Sequence, residues 1–144
     1  MTERRPNYAG IIAGTIVLFA FGAIWYITLG STWQANVGTP KAVLDAAGFM
    51  PFVVSFVAGL LVSYCFDNML WHYERADAMK GAQVGVLIGV CIYVPMVAML
   101  YAYAQRPTML FLIDGGYGLI GFVLTGLTVG AVRARMGRTA AAVR

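Results

Sequence analysis

Residues 109–132 read MLFLIDGGYGLIGFVLTGLTVGAV, twenty-four positions with one charge, Asp114. A stretch of this length and polarity covers the roughly 20 residues that a helix needs to cross a ~30 Å hydrocarbon core. Three further runs have the same character: residues 8–29, 51–73 and 81–104. Helices are the expected form, because lipid offers backbone N–H and C=O groups no partners. The alternating segments of about ten residues that mark a membrane barrel are missing. The sequence therefore predicts an all-α membrane protein with four transmembrane helices in one domain, residues 1–144.

Composition agrees. The chain is 60% hydrophobic and 11% charged, where a soluble domain carries roughly 25% charged residues. The net charge is +4, but the basic residues flank the spans, which points to a membrane surface and not to nucleic acid. The apolar run after Arg4 and Arg5 is too long for a signal-peptide core and is read as a retained first helix.

Loop charge sets the expected orientation. In a four-span chain, Arg4, Arg5, Arg75, Lys80, Arg133, Arg135, Arg138 and Arg144 fall on one side; Lys41 and Arg106 fall on the other. The positive-inside rule then places both termini in the cytoplasm of a bacterial inner membrane. Residues 133–144 form a basic tail expected to lie against anionic headgroups. Between spans one and two, residues 30–50 form the longest loop, with a turn at Gly38–Thr39–Pro40 and a short interfacial helix in KAVLDAAGF. The remaining loops are short, so an up-down-up-down bundle is expected, with spans two and three, and three and four, as neighbours.

Small residues recur at four-residue spacing: Gly10 and Gly14; Ser55, Gly59 and Ser63; Gly81, Gly85 and Gly89; Gly126 and Gly130. This spacing stacks them on one helix face and permits close approach. The faces serve packing within the bundle or between subunits, and the spacing leaves both open. Pro95, midway along the third span, has no N–H for the Cys91 carbonyl and is expected to kink the helix.

The residues that invite a functional reading are acids. Asp114 and Asp67 lie within apolar spans, where ionisable groups face the bundle interior and mark function by default. Depth counting puts them about 10 Å apart along the membrane normal at ~1.5 Å per residue, too far for a paired-carboxylate site. Tyr117, one turn beyond Asp114, completes a candidate intramembrane polar site. Cys65, Asp67 and Cys91 are expected at similar depth. Trp25, Tyr26, Trp33, Trp71 and Tyr73 read as headgroup-level anchors, and His72 as a solvated interfacial side chain. No catalytic residues, metal set, haem ligand pair or phosphate-binding loop is identified; no cofactor is expected, and the chain is read as no enzyme.

NYAGIIAGTIVLFAFGAIWY (7–26), followed by Trp33, carries Asn7, Tyr8, Gly22, Trp25 and Tyr26 in an arrangement that resembles the opening of the bacterial membrane family known as domain of unknown function 1761. Residues 106–132 resemble its last helix, where an Asn-Ala-Gly-Tyr-His-like sequence is common; here that place holds Asp114, Gly115, Gly116, Tyr117 and Gly118. The segment after Trp-Tyr is shortened to ITLGSTW (27–33). The resemblance implies a four-helix inner-membrane protein and supplies no activity. The spans lack the concentrated polar residues that a hydrophilic permeation path needs, so the expectation is a non-catalytic accessory or structural subunit, packing by its glycine faces in a larger complex or homo-oligomer. The alternative is a small oligomeric transporter or channel with an intramembrane carboxylate.

Overall fold

The computed structural model describes residues 6–73 and 76–142, with side chains in the last helix described as far as Met136. The elements are α1 (Tyr8–Val37), α2 (Lys41–Ala46), α3 (Met50–Trp71), α4 (Ala78–Ile88), a π-helical turn (Gly89–Tyr93), α5 (Val94–Tyr103) and α6 (Thr108–Ala142). The π turn joins α4 and α5 into one span, so four helices are long and apolar enough to cross a membrane. Between 17% and 39% of each span's most apolar window is buried inside the chain. The rest is an apolar exterior far larger than a soluble monomer exposes, and the chain is an all-α, multi-pass membrane protein.

Contacts between spans give their directions. Gly14 lies against Ser63, and Phe19 against Phe52 and Phe56, so α1 and α3 are antiparallel. Gly22 meets Tyr117 while Gly14 meets Val129, so α1 and α6 are antiparallel. Gly81 meets Gly126 and Gly89 meets Leu119, which sets α4 against α6 in the same way. The order is up-down-up-down. One end holds Asn7, Trp71, Asp77 and Arg133; we call it the termini end. The other holds Val37, Tyr103 and Thr108, the far end.

The neighbours differ from a ring of sequential pairs. α6 is the central helix, packing most extensively on α4 and α1; α3 packs chiefly on α1 and touches α4 only slightly. The expected pairing of spans two and three is thus weak, despite their short loop. The glycines explain it. A Cβ on Gly81 would overlap the Gly126 carbonyl, and one on Gly126 the Gly81 carbonyl; a Cβ on Gly85 would sit 2.5 Å from the Phe122 oxygen. Gly130 meets the Asp77 carbonyl in the same way, and Gly89 the Leu119 side chain at 2.7 Å. This backbone-on-backbone seam draws α4 to α6. Gly14 would meet Val129 at 2.8 Å and Ser63 at 2.9 Å, and Gly59 Thr15 at 3.2 Å, which joins α1 to α6 and α3. Gly10 does something else: its bare Cα accommodates the side chain of its own N-cap, Asn7. Apart from Gly10, then, the packing glycines face neighbouring spans of this chain. Ser55 faces outward.

Three local departures matter for the site. α1 runs well past residue 29 and ends at Gly38, whose positive φ of 72° closes the helix in the left-handed conformation. Arg106 Nη1 donates to the terminal Val37 carbonyl at 2.6 Å. The irregularity expected at Pro95 takes the form of the π turn just before it, where the Val94 N–H reaches back to the Gly89 carbonyl. Widening the turn relieves the crowding that a proline ring imposes on the preceding turn. It also shifts the register of the rest of the span, so Tyr93 and Tyr101 both face α6. The third departure is in α6, which continues as helix through the first part of the expected tail, to Ala142. Of the basic residues counted for orientation, Arg4, Arg5, Arg75 and Arg144 lie outside the described residues, as does the side chain of Arg138.

The seam has a direct test. Gly81→Val should lower stability by about 3 kcal/mol, as overpacking of a fitted contact does. Gly30→Val, where nothing lies within 4 Å, should leave it unchanged. Thermal unfolding by circular dichroism in mild detergent compares them; equal effects would refute the close approach of α4 and α6.

Candidate functional site

Asp114 enters α6 six residues after its start and is 8% exposed. A carboxylate buried in apolar surroundings must be hydrogen-bonded, and three side chains from two other helices converge to do it. Tyr26 of α1 donates its hydroxyl to Oδ1 at 2.6 Å. Tyr101 of α5 donates to Oδ2 at 2.5 Å. Trp33 of α1 brings its indole N–H to both oxygens, at 3.2 and 3.4 Å. Tyr26 and Trp33 are seven residues apart, two turns on one helix face, which is how both reach a single carboxylate.

The backbone around Asp114 is held too. Tyr93 donates its hydroxyl to the Asp114 carbonyl at 3.2 Å, and Trp25 its N–H to the Ile113 carbonyl at 3.1 Å. Glycines make the room. A Cβ on Gly118 would run into the Tyr93 ring, one on Gly116 would sit 3.2 Å from Trp25, and one on Gly22 would sit 3.1 Å from the Tyr117 hydroxyl. Tyr117 stacks on Phe21, with centroids 5.9 Å apart and planes 8° from parallel, and tilts against Tyr26 at 5.3 Å. It thus belongs to the aromatic wall of the Asp114 centre. Trp25 and Trp33 turn inward to α6 and are not the free headgroup anchors expected of them.

Asp67 forms a separate centre at the termini end. It is fully buried. Arg133 of α6 pairs with Oδ1, and its guanidinium also covers the Trp71 ring at 5.1 Å. The backbone N–H of Asn7 donates to Oδ2 at 3.2 Å, while the Asn7 side chain caps α1 through Gly10 N at 2.9 Å. The positive end of the α1 dipole therefore also points at Asp67. Arg133, assigned by sequence to the headgroup-bound tail, is turned inward instead, because a buried carboxylate needs a charged partner more than a lipid phosphate does. Cys65 and Cys91 share no site with Asp67; both are exposed on the outside of the bundle. His72 is exposed at the end of α3. Among the described residues no group of three metal-ligating side chains converges.

The two centres are farther apart than depth counting gave. Asn7 and Tyr26 are 19 residues apart on α1, and Asp114 and Arg133 are 19 apart on α6. Each path is about 28 Å of helix rise, shortened by the reach of the Tyr26 and Arg133 side chains. The count of ~10 Å failed because Asp67 is level with the very first residue of α1, its cap. The sequence reading also missed Tyr93, Tyr101, Arg133 and Asn7. One signal was present: Tyr26 and Trp33 stand seven residues apart, about two helical turns, and so share a face.

Fold and site together define a four-span membrane protein with two buried carboxylate centres, one ion-paired and one met by neutral donors. Residues 9–130 match the family model described as a protein of unknown function, DUF1761, and the chain belongs to that family. No curated protein and no solved structure matches it significantly. Gly118 has a physical reading here: no side chain fits at that position with Tyr93 where it stands.

The ion pair supports a double-mutant test. Asp67→Ala or Arg133→Ala alone should cost about 3–5 kcal/mol, because each leaves a buried charge uncompensated. Asp67→Leu/Arg133→Leu together should recover most of that loss in thermal unfolding. Additive losses would show that the two residues do not act as a pair.

Proposed function

We propose that the protein is a non-enzymatic, transport-type protein of the bacterial inner membrane, with both termini cytoplasmic, in which Asp114 takes up a cationic solute. One contrast carries the reading. Asp67 has its counter-charge in Arg133. Among the described residues no basic side chain pairs with Asp114; its partners are two phenols and an indole. A carboxylate kept in an apolar span with neutral donors alone has a charge left to satisfy. Tyr26, Trp33 and Tyr117 pack on one another beside it as an aromatic wall. Arg106, at the same end, has its guanidinium on the Val37 carbonyl. The positive-inside count assigns this end to the outer leaflet.

The accessory-subunit reading stands second. Its warrant in the sequence is the absence of the concentrated polar residues that a hydrophilic path needs; the glycine faces it was expected to pack by lie against neighbouring spans of the chain itself. One observation still favours it: residues 50–58 of α3 are all exposed, a stretch that a partner or a second copy could cover.

Proteoliposomes loaded with purified protein decide between them. Uptake of labelled tetramethylammonium should saturate and fall at least about tenfold in Asp114→Asn, a change that keeps the shape and loses the charge. Uptake indifferent to that substitution, or no uptake together with a stoichiometric co-purifying protein, would remove the transport reading.

A further inference from the structure

The two buried carboxylates have collected partners of different kinds. Those of Asp67 only donate: the Arg133 guanidinium on Oδ1 and the Asn7 backbone N–H on Oδ2. Neither group can accept a hydrogen bond. A proton on either Asp67 oxygen would meet another donor, so that site is built for the ionised form alone.

Asp114 is met differently. Each of its oxygens has a phenol, Tyr26 on Oδ1 at 2.6 Å and Tyr101 on Oδ2 at 2.5 Å. A phenol is both donor and acceptor. Its O–H donates to a carboxylate; after rotation about the C–O bond, its oxygen accepts from a carboxylic acid. Trp33 only donates, but its N–H lies 3.2 and 3.4 Å from the two oxygens and serves whichever one carries no proton. The same arrangement of heavy atoms therefore holds Asp114 with or without a proton.

The other titratable and charged groups near this end are committed elsewhere. Tyr93 donates to the Asp114 backbone carbonyl, and Tyr117 stacks in the aromatic wall. Arg106 is on the Val37 carbonyl, and Lys41 and Asp45 of α2 pair with each other. α3 brings none between Met50 and Ser63. Among the described residues, then, no fixed cation pairs with Asp114 once a solute has left. A bare carboxylate is costly in an apolar span. A proton is the counter-charge that needs no extra room, and the two phenols are partners that can receive it.

We infer that Asp114 binds protons and the solute cation in turn, which makes the protein a proton–cation exchanger. The inference rests on the cation reading of Asp114 and names its second substrate. Where the cation enters, the Asp114 O–H bond breaks, the proton leaves to water, and the freed carboxylate pairs with one monovalent cation. Where the cation leaves, a proton from water re-forms the O–H bond. One proton crosses against each cation, and no net charge is moved.

The full chain in proteoliposomes loaded with the pH dye pyranine tests this, with the membrane potential clamped by potassium and valinomycin. Inside-acid vesicles receive external labelled tetramethylammonium. The lumen should lose acidity at least about fivefold faster than in empty liposomes, only when the cation is present, with one proton lost per cation gained. Asp114→Asn should stop the proton loss along with the uptake. Its unfolding by circular dichroism should stay at the wild-type temperature, because a phenol oxygen can accept from the amide. The wild-type measurement decides without the variant. Saturable cation uptake that moves no protons overturns the exchange while the cation reading stands. Proton loss that runs equally fast without the cation also overturns it. No uptake by the wild type removes the cation reading, and the exchange with it.

Discussion

A carboxylate in a bilayer span has to find its hydrogen-bond partners inside the protein, and this requirement organises the molecule. Lipid supplies neither donors nor counter-charge, and an unmet buried charge costs several kcal/mol or more. The chain has two such groups, on α3 and α6, and each collects donors from other helices. Asp67 is met by the start of α1 and the end of α6. Asp114 is met by α1 and α5. Since α1 and α6 take part at both ends, their antiparallel pairing is fixed in register by polar contacts as well as by packing.

Dispersion and close approach do the rest. Without a hydrophobic driving force between spans, helices in lipid associate through fitted contact. The glycines provide it where α4 lies on α6, backbone against backbone. The buried apolar cluster of Phe66, Leu70, Val84 and Val129 sits toward the termini end, and the far end relies on aromatic side chains around Asp114. The two ends are thus built differently: one is an ion pair beside a packed aliphatic core, the other a carboxylate in an aromatic wall. That asymmetry supports a binding role for the far end.

Much of the fold was legible in the sequence, and for a simple reason. Span number and helical character follow from length and polarity in a solvent that satisfies no backbone group, and Asp67 and Asp114 stand out against that background as single letters. Helix adjacency was not legible. Short loops suggested α3 beside α4, yet a short loop fixes only the ends of two helices, and the glycines of α4 found their match on α6. Hydrogen-bond partners were harder still. Arg133 sits at the edge of a basic tail, and nothing in its local sequence says that it turns inward to an acid 66 positions earlier. Trp33 lies beyond the first run as judged by hydropathy, and reaches Asp114 only because α1 continues to Val37. Charge and aromatic type marked these residues as notable, but which way each pointed depended on pairings of distant segments.

The equal 19-residue intervals on α1 and α6 have a mechanical consequence. Two antiparallel helices joined at both ends form a closed frame. Sliding one past the other by a turn, about 5.4 Å, would break both polar centres together, so shear along this pair is blocked. The remaining spans are less constrained. α5 reaches the frame through Tyr101 and is separated from α4 by the π turn, and the half of α3 nearest Met50 has no buried residue before Gly59. Register in this molecule is therefore set along the α1–α6 pair, and α3 and α5 take their places against it.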